Sequence, residues 1–486
     1  MTYTHDLIVI GAGSGGLGAA GFGATIGLKV ALIDKTAHEY GGECLNYGCV
    51  PSKALLHVAA QFAGAREAAR FGLATQGKAD WQKVKQYITE RQDIIRAHES
   101  PDYLSENYGV ESIVGTATLT GPREVTVNNR LLTARKIVLA TGSRPRQLTV
   151  DGVEQVKQWD NEAFFGELNE LPNHALIIGG GPNSCEVAQA LVRLGSQVTL
   201  LVRGDRLLQN DPRRAADILA QRLRLEGVDL RFNTEVQRFT SATEAELQTA
   251  DTDTPDVAEP KPMTFSHLLV AVGREVRTEG LGLEAAGVEV KDGKIVADDY
   301  YRTTNKNIFV VGDAYGREQF SHGAEKHNTD LWTNLLSPID RKHKLDKFSW
   351  VTFTDPEIAT FGLTEEQLRE RNINYERITQ SMDHDDRAVA ADYRYGHLEL
   401  YIKKGWRGKG KLLGGCLVAP AAGEMMQELH LLQTLGKKYS KLTNKIYAYP
   451  VGSRINQKPA RDRAAGQLKS DTIAKALRYA FRWQHR

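Results

Sequence analysis

At 486 residues the chain is long enough for two to four domains with well-buried cores. Hydrophobic residues make up 41% and charged residues 25%, and the formal net charge is only +2, the balance of an ordinary globular protein. That charge gives no bulk attraction to nucleic acid, and the body of the chain shows no zinc-finger spacing, RNA-binding signature or basic block, so nucleic acid is not expected as a partner.

In chain order, residues 6–10 predict a short apolar strand close to the N-terminus. The run Leu7-Ile8-Val9-Ile10 lacks the basic flank, length and cleavage site of a signal peptide. No stretch approaches the roughly 18 apolar residues of a membrane-spanning helix, so a cytoplasmic location is expected. Gly11-Ala12-Gly13-Ser14-Gly15-Gly16 follows, then an alanine-rich helix to Ile26 and a second strand over 29–33 that ends in Asp34. Gly11, Gly13 and Gly16 suit a tight turn, a close approach of backbone to pyrophosphate and close helix–strand packing. The helix start offers free N–H groups to phosphates, and Asp34 can accept hydrogen bonds from a ribose. On these residues alone the ligand is NAD or FAD.

Residues 81–96 predict a polar helix, and short strands lead to Ala140-Thr141-Gly142. The first pattern then repeats: a strand over 175–178, Gly179-Gly180-Gly181-Pro182-Asn183-Ser184, a helix to Leu194 and a strand over 197–201. Two such units predict two dinucleotide-binding domains. The acidic, proline-bearing stretch 251–262 reads as a surface loop. The chain returns with Ala271-Val272-Gly273-Arg274 and Ile308-Phe309-Val310-Val311-Gly312-Asp313. The charged stretch 340–347 marks the boundary to a third domain, where strands and helices alternate from 348 to about 449.

The chemistry is carried by Gly41-Gly42-Glu43-Cys44-Leu45-Asn46-Tyr47-Gly48-Cys49-Val50-Pro51-Ser52-Lys53. A bond between cysteines so close in sequence forms only if a local turn brings their Cα atoms within roughly 7 Å. A thiol at a helix start beside a lysine has a lowered pKa. With four cysteines in a reducing compartment, a close pair is expected to be catalytic rather than a structural staple. The blander readings are two buried free thiols or part of a metal site; two ligands without partner cysteines do not close a zinc site, and no metal is expected.

This segment resembles the active site of the pyridine nucleotide–disulfide oxidoreductases, the family of lipoamide dehydrogenase, glutathione reductase and mercuric reductase. The resemblance runs on through both glycine loops, Ala140-Thr141-Gly142, Val272-Gly273-Arg274, Val311-Gly312-Asp313 and Thr354-Asp355-Pro356-Glu357. It implies an α/β fold with two Rossmann-like domains and a C-terminal α+β domain that builds a homodimer. The expected division is an FAD domain over 1–150 and 275–347, an NAD(P)H domain over 151–274, a dimerisation domain over 348–460 and a tail over 461–486.

The resemblance also implies hydride transfer from a reduced nicotinamide to FAD and onward reduction of a Cys44–Cys49 disulfide. Cys49 would lie against the flavin and Cys44 would meet a small thiol-reactive substrate. Lys53 would stand near the flavin, partnered by Glu186. The FAD set becomes Gly11, Gly13, Gly16, Asp34, Gly42, Lys53, Thr141, Gly142, Gly312 and Asp313. The NAD(P)H set becomes Gly179, Gly181, Glu186, Arg203, Arg206 and Gly273. Gly11 to Asp34 spans 23 places, and the same step from Gly179 reaches Val202, so the second unit lacks the ribose-binding acid. Arg203 follows at once and Arg206 soon after. An acid would repel the 2′-phosphate of NADPH while an arginine can clamp it, so NADPH is expected ahead of NADH. Ser184 replaces the third glycine, a tolerable loosening of helix packing.

The pattern breaks late. Lipoamide dehydrogenase and glutathione reductase share a His-Pro-Thr segment whose histidine, backed by a glutamate, shuttles protons for the thiols. Here the matching residues are Tyr449 and Arg454. A tyrosine with a pKa near roughly 10 is a poor base at neutral pH, which argues against simple lipoamide dehydrogenase. The mercuric-reductase branch also has a tyrosine there, and a soft metal ion held by thiolates needs no proton shuttle. Yet the last cysteine is Cys416, so the C-terminal cysteine pair that delivers mercury in that branch is missing. The acceptor therefore remains open among soft metal ions, disulfides and quinones. A lipoamide dehydrogenase with a replacement base and a docked redox sensor stand as alternatives. Tyr449 can equally be a packing aromatic.

Cys185 and Cys416 are expected as small core residues, and His322 as a satisfied structural histidine. Beyond Arg461, Ile473, Ala476, Leu477, Ala480 and Phe481 recur at helical spacing opposite Lys475, Arg478 and Arg482, with Trp483 close by. This reads first as a helix packed on its own dimer with a solvated basic face. The same pattern also fits a peripheral membrane contact or a protein partner.

Overall fold

A computed structural model describes residues 2–249, 261–406, 408–468 and 470–485. They fall into two compact units: one runs to Gly179 and adds Val187–Arg203 and Gly227–His343, the other holds Gly180–Glu186, Gly204–Glu226 and the chain from Lys344. The expected boundary within 340–347 lies where the second unit takes over.

The first unit holds two parallel sheets. The first orders its parallel strands as Glu111–Val114, Val30–Asp34, His5–Ile10, Arg130–Leu139 and Ile308–Val310. Leu7, Ile8, Val9, Ile10, Leu32 and Ile33 are all buried, as a parallel sheet covered on both faces requires. Each such side chain contributes about 1.5–3 kcal/mol by leaving water. The second sheet runs Asp229–Phe232, Gln197–Val202, His174–Ile178, His267–Val270 and Gln158–Trp159. In both sheets a glycine loop follows a central strand and opens a helix, Ser14–Thr25 in one and Pro182–Leu194 in the other. The polar helix is found at Trp81–Arg96, capped by Asp80.

The stretch read as a surface loop is corrected at its end. Residues 251–260 lie outside the described residues, but Lys261–Thr264 is a strand paired with Glu244–Thr249, so Pro262 sits in a ladder. It is the outer strand of a three-stranded sheet, where a missing N–H is tolerated.

The second unit is built on an antiparallel sheet ordered Ser349–Thr352, Glu357–Gly362, Leu412–Ala419, His397–Lys403 and Tyr375–Ser381. Ala359, Phe361, Leu398, Leu400 and Leu417 fill its core. Cys185 and Cys416 are buried, as expected. Two helices, Lys458–Leu468 and Asp471–Gln484, close the chain, and the last has no buried residue. The α/β class with a separate α+β domain is thus the observed one. Among the described residues no helix is long and apolar enough to cross a membrane.

Candidate active site

The first glycine loop is shaped by backbone contacts that leave no room for side chains. Gly11 holds φ at +101°, and a Cβ there would lie 2.3 Å from the Ala140 carbonyl oxygen. A Cβ on Gly16 would lie 1.7 Å from the Gly11 oxygen. The helix therefore starts directly behind the strand end, with its free N–H groups open to an anion. Gly42, at φ +61°, abuts the loop from the other side: its Cβ would meet Gly13 Cα at 2.4 Å. Asp34 accepts the Ala12 and Lys35 N–H groups at 2.6 and 2.7 Å, and burial raises its carboxyl above the usual range.

Opposite this loop, Thr141 Oγ1 is enclosed without a hydrogen-bond partner, and Gly142 at φ +71° faces open space. Gly312 takes φ +64°, and Asp313 accepts the Ser143 hydroxyl at 2.6 Å while burial pushes its carboxyl up. Ser143 in turn accepts Arg274 Nε at 2.7 Å, and Arg274 forms an ion pair with Glu43. Burial raises the Glu43 carboxyl to about 7 against the pull of that arginine. A glycine-rich helix start, an orphaned hydroxyl and an open glycine fit the phosphates, ribose and polar chain of a bound FAD.

Cys44 lies in the short helix Gly42–Asn46, and Cys49 is the first residue of the helix Cys49–Glu67. Cys44 and Cys49 share a hydrogen bond, which together with the Ser321 hydroxyl and the charge of Lys53 lowers the Cys49 thiol to about 6. The Ser321 Oγ lies 3.2 Å from Cys49 Sγ. Cys44 is pushed the other way, first by that same bond and then by burial. One proton is thus kept on Cys44 and a thiolate on Cys49. Lys53 follows Cys49 by one helical turn, on the same face.

Behind Gly312 stands a polar cluster that the sequence reading missed. His322 is exposed and tilted against Phe320; the buried histidine of the helix Ser321–Leu336 is His327. Gly312 N donates to His327 Nδ1 at 3.1 Å, which leaves the ring proton on Nε2 to donate to Glu318 at 3.0 Å. His343 Nε2 lies 3.0 Å from the same carboxylate, and Tyr301 OH lies 2.8 Å from His343 Nδ1. Burial opposes ionisation of Glu318, but the two imidazoles outweigh it and hold the carboxyl near about 2. Three ligand-type residues meet here, yet the Gly312 amide fixes the protonated His327 nitrogen toward the would-be metal. The arrangement is a hydrogen-bonded brace rather than a metal cage.

The nicotinamide set divides between the units. In the first, Gly179 and Gly273 hold φ of +132° and +111°, and Arg203 is exposed just beyond the strand Gln197–Val202. In the second, Gly181 has nothing within 4 Å of a built Cβ. Glu186 is buried and accepts the Phe353 N–H at 2.9 Å. The Arg206 guanidinium donates to the Asp211 and Gln209 carbonyls at 3.1 and 2.5 Å, bracing its own loop. Tyr449 is exposed, and its hydroxyl donates to Asp386 at 3.1 Å, which raises its pKa further. The Arg454 guanidinium covers its ring at 5.4 Å.

The sequence signature of the pyridine nucleotide-disulphide oxidoreductases matches residues 5–332, and that of their dimerisation domain matches residues 348–458. The mercuric reductase of Streptomyces lividans is 35% identical over 453 residues, 92% of this chain and 93% of that protein. The dihydrolipoyl dehydrogenase of Thermus scotoductus is 33% identical over 455 residues, 92% and 95% of the two. Among solved structures, the copper(II) complex of the HOCl-induced flavoprotein disulfide reductase RclA of Escherichia coli superposes with a TM-score of 0.80 at 27% identity, covering 95% of this chain and 99% of that one. With a dithiol set against a dinucleotide cradle and these matches along nearly its whole length, the chain belongs to the pyridine nucleotide-disulphide oxidoreductases and is an NAD(P)H-dependent FAD disulfide oxidoreductase.

Proposed function

We propose that the enzyme carries electrons from NADPH to a thiol-reactive acceptor at Cys44, and that this acceptor needs no protein-borne proton shuttle. Bound FAD supplies the two-electron relay between nicotinamide and sulfur. The chain's own residues do the rest. Gly11, Gly13 and Gly16 admit the cofactor, with Asp34, Gly42, Thr141, Gly142, Gly312 and Asp313 around it. One nicotinamide is oxidised for each disulfide reduced to two thiols. Lys53 and the Ser321 hydroxyl hold Cys49 as thiolate, and Cys44 becomes the attacking sulfur once its proton has passed to solvent. Glu186 as partner of Lys53, and Arg203 as reader of the 2′-phosphate, belong to the same proposal, with NADH as the weaker donor. So do the domain bounds 1–150 with 275–347, 151–274 and 348–460.

The observation that carries this reading is the unequal thiol pair beside the cradle. Tyr449 supports the choice of acceptor: a phenol tied to Asp386 and pushed up in pKa does not take protons at neutral pH. The names of two relatives, a mercuric reductase and a copper complex, support a thiolate-seeking metal ion as substrate. A lipoamide dehydrogenase activity is the second reading, favoured by the identity with the Thermus scotoductus protein. Anaerobic titration of the holoenzyme with NADPH is expected to raise a long-wavelength absorption that Cys49→Ser abolishes. An unchanged spectrum would sink the proposal. A screen of Hg(II), Cu(II), lipoamide, glutathione disulfide and quinones then separates the two readings.

A further inference from the structure

The formal charge of +2 hides a strong asymmetry. Residues 401–486 carry 18 lysines and arginines against 4 aspartates and glutamates, a net +14. No carboxylate occurs between Leu400 and Gly423 or between Leu429 and Arg461.

Within the second unit the structure gathers much of this charge. The hairpin joining His397–Lys403 to Leu412–Ala419 carries exposed Lys404, Lys409 and Lys411. The turn Tyr439–Asn444 and its approach carry exposed Lys437, Lys438 and Lys441. Lys411 bridges to Lys438, and Tyr439 N donates to the Gly410 carbonyl at 2.8 Å, so the two groups of lysines sit side by side. None of the six makes an ion pair among the described residues. At the hairpin tip Trp406 is 98% exposed.

The same turn packs on the helix Lys458–Leu468, which leads into Asp471–Gln484. That last helix exposes Ile473, Leu477 and Phe481 at successive four-residue steps, 42%, 51% and 66% open, with Trp483 at 67%. Lys475, Arg478 and Arg482 occupy the opposite side. Against its own chain this helix buries nothing.

We infer that this ridge is a docking surface for an anionic lipid bilayer, by which the oxidoreductase works as a peripheral membrane protein. The lysines match acidic headgroups, while the row of aliphatic and aromatic side chains and the tip tryptophan match the boundary of the acyl layer. A nucleic acid would satisfy the lysines and leave Ile473, Leu477 and Phe481 in water. This inference goes beyond the redox reading and does not rest on it.

The test is co-sedimentation of the holoenzyme with vesicles of phosphatidylcholine alone or with added phosphatidylserine. The protein is expected to pellet only with the acidic vesicles and to be released at about 1 M salt, where the Debye length falls to about 3 Å. The triple variant Lys404→Glu, Lys409→Glu, Lys438→Glu is expected to weaken binding about a hundredfold. Leu477→Asp with Phe481→Asp is expected to abolish it, and both variants should keep the flavin spectrum and NADPH-driven reduction. Binding should also shift tryptophan emission to the blue, less so in Trp406→Phe. A wild-type protein that stays in the supernatant overturns the inference. Binding that survives both variants does so too, as does tight binding to duplex DNA with none to vesicles.

Discussion

Cys44 and Cys49 differ in character although they share one turn of chain. The hydrogen bond between them and the Ser321 hydroxyl hold the Cys49 thiol down to about 6, so Cys49 is a thiolate above that pH and a thiol below it. The long-wavelength absorption of the NADPH-reduced enzyme is therefore expected to persist at neutral pH and to fade as pH drops through about 6. A hydrogen bond to a charged group contributes about 1.5–3 kcal/mol, and one pKa unit corresponds to about 1.4 kcal/mol. Ser321→Ala should move that midpoint up by about one unit or more, read by pH titration of the absorption; an unmoved midpoint refutes the role. The two cysteines and Lys53 were legible from their spacing in the sequence. Ser321 was not, because it reaches Cys49 from 272 positions away and belongs to no motif. His327 was not legible for a related reason: a polar helix gives no periodic sign that one imidazole turns inward.

The two glycine loops look alike as strings, yet their glycines meet different surroundings. At Gly16 an added methyl would drive into the Gly11 carbonyl oxygen, and overpacking of rigid backbone costs about 1–3 kcal/mol or more. Gly16→Ala is expected to lower the melting temperature and to leave the purified protein depleted of FAD. At Gly181 the same methyl meets nothing within 4 Å, and changes without a clash usually stay within about 0.5 kcal/mol. Gly181→Ala should melt normally but raise KM for NADPH, because the methyl would stand at the place proposed for the pyrophosphate. Melting curves and steady-state kinetics on the pair check both, and a normal FAD content in Gly16→Ala contradicts the first. Strand–loop–helix order was readable here because hydrophobic runs and glycine spacing are local properties. The contacts of Arg206 with the carbonyls of its own loop were not readable, since no motif announces them.

For the whole molecule, the sequence signature of a dimerisation domain over residues 348–458 sets the expectation of a homodimer. Leu431 and Leu435, four residues apart on and just after the helix Gln427–Thr434, are 57% and 58% exposed, an apolar pair with no cover in its own chain. Leu431→Asp with Leu435→Asp is expected to halve the mass measured by light scattering while the flavin is retained; an unchanged mass places the contact elsewhere. Net charge hides the asymmetry at this scale, because an excess of 14 positive charges after residue 400 is averaged against an acidic remainder.

The backbone contact of Gly13 with Gly42 has one more consequence. It sets the loop proposed to hold the prosthetic group against the short helix bearing Cys44, the sulfur proposed to meet substrate. Reactivity at Cys44 and retention of the cofactor are therefore inherited together. Engineering a wider acceptor range by shifting that sulfur would loosen the prosthetic group, so useful variation has to come from the walls around the pair.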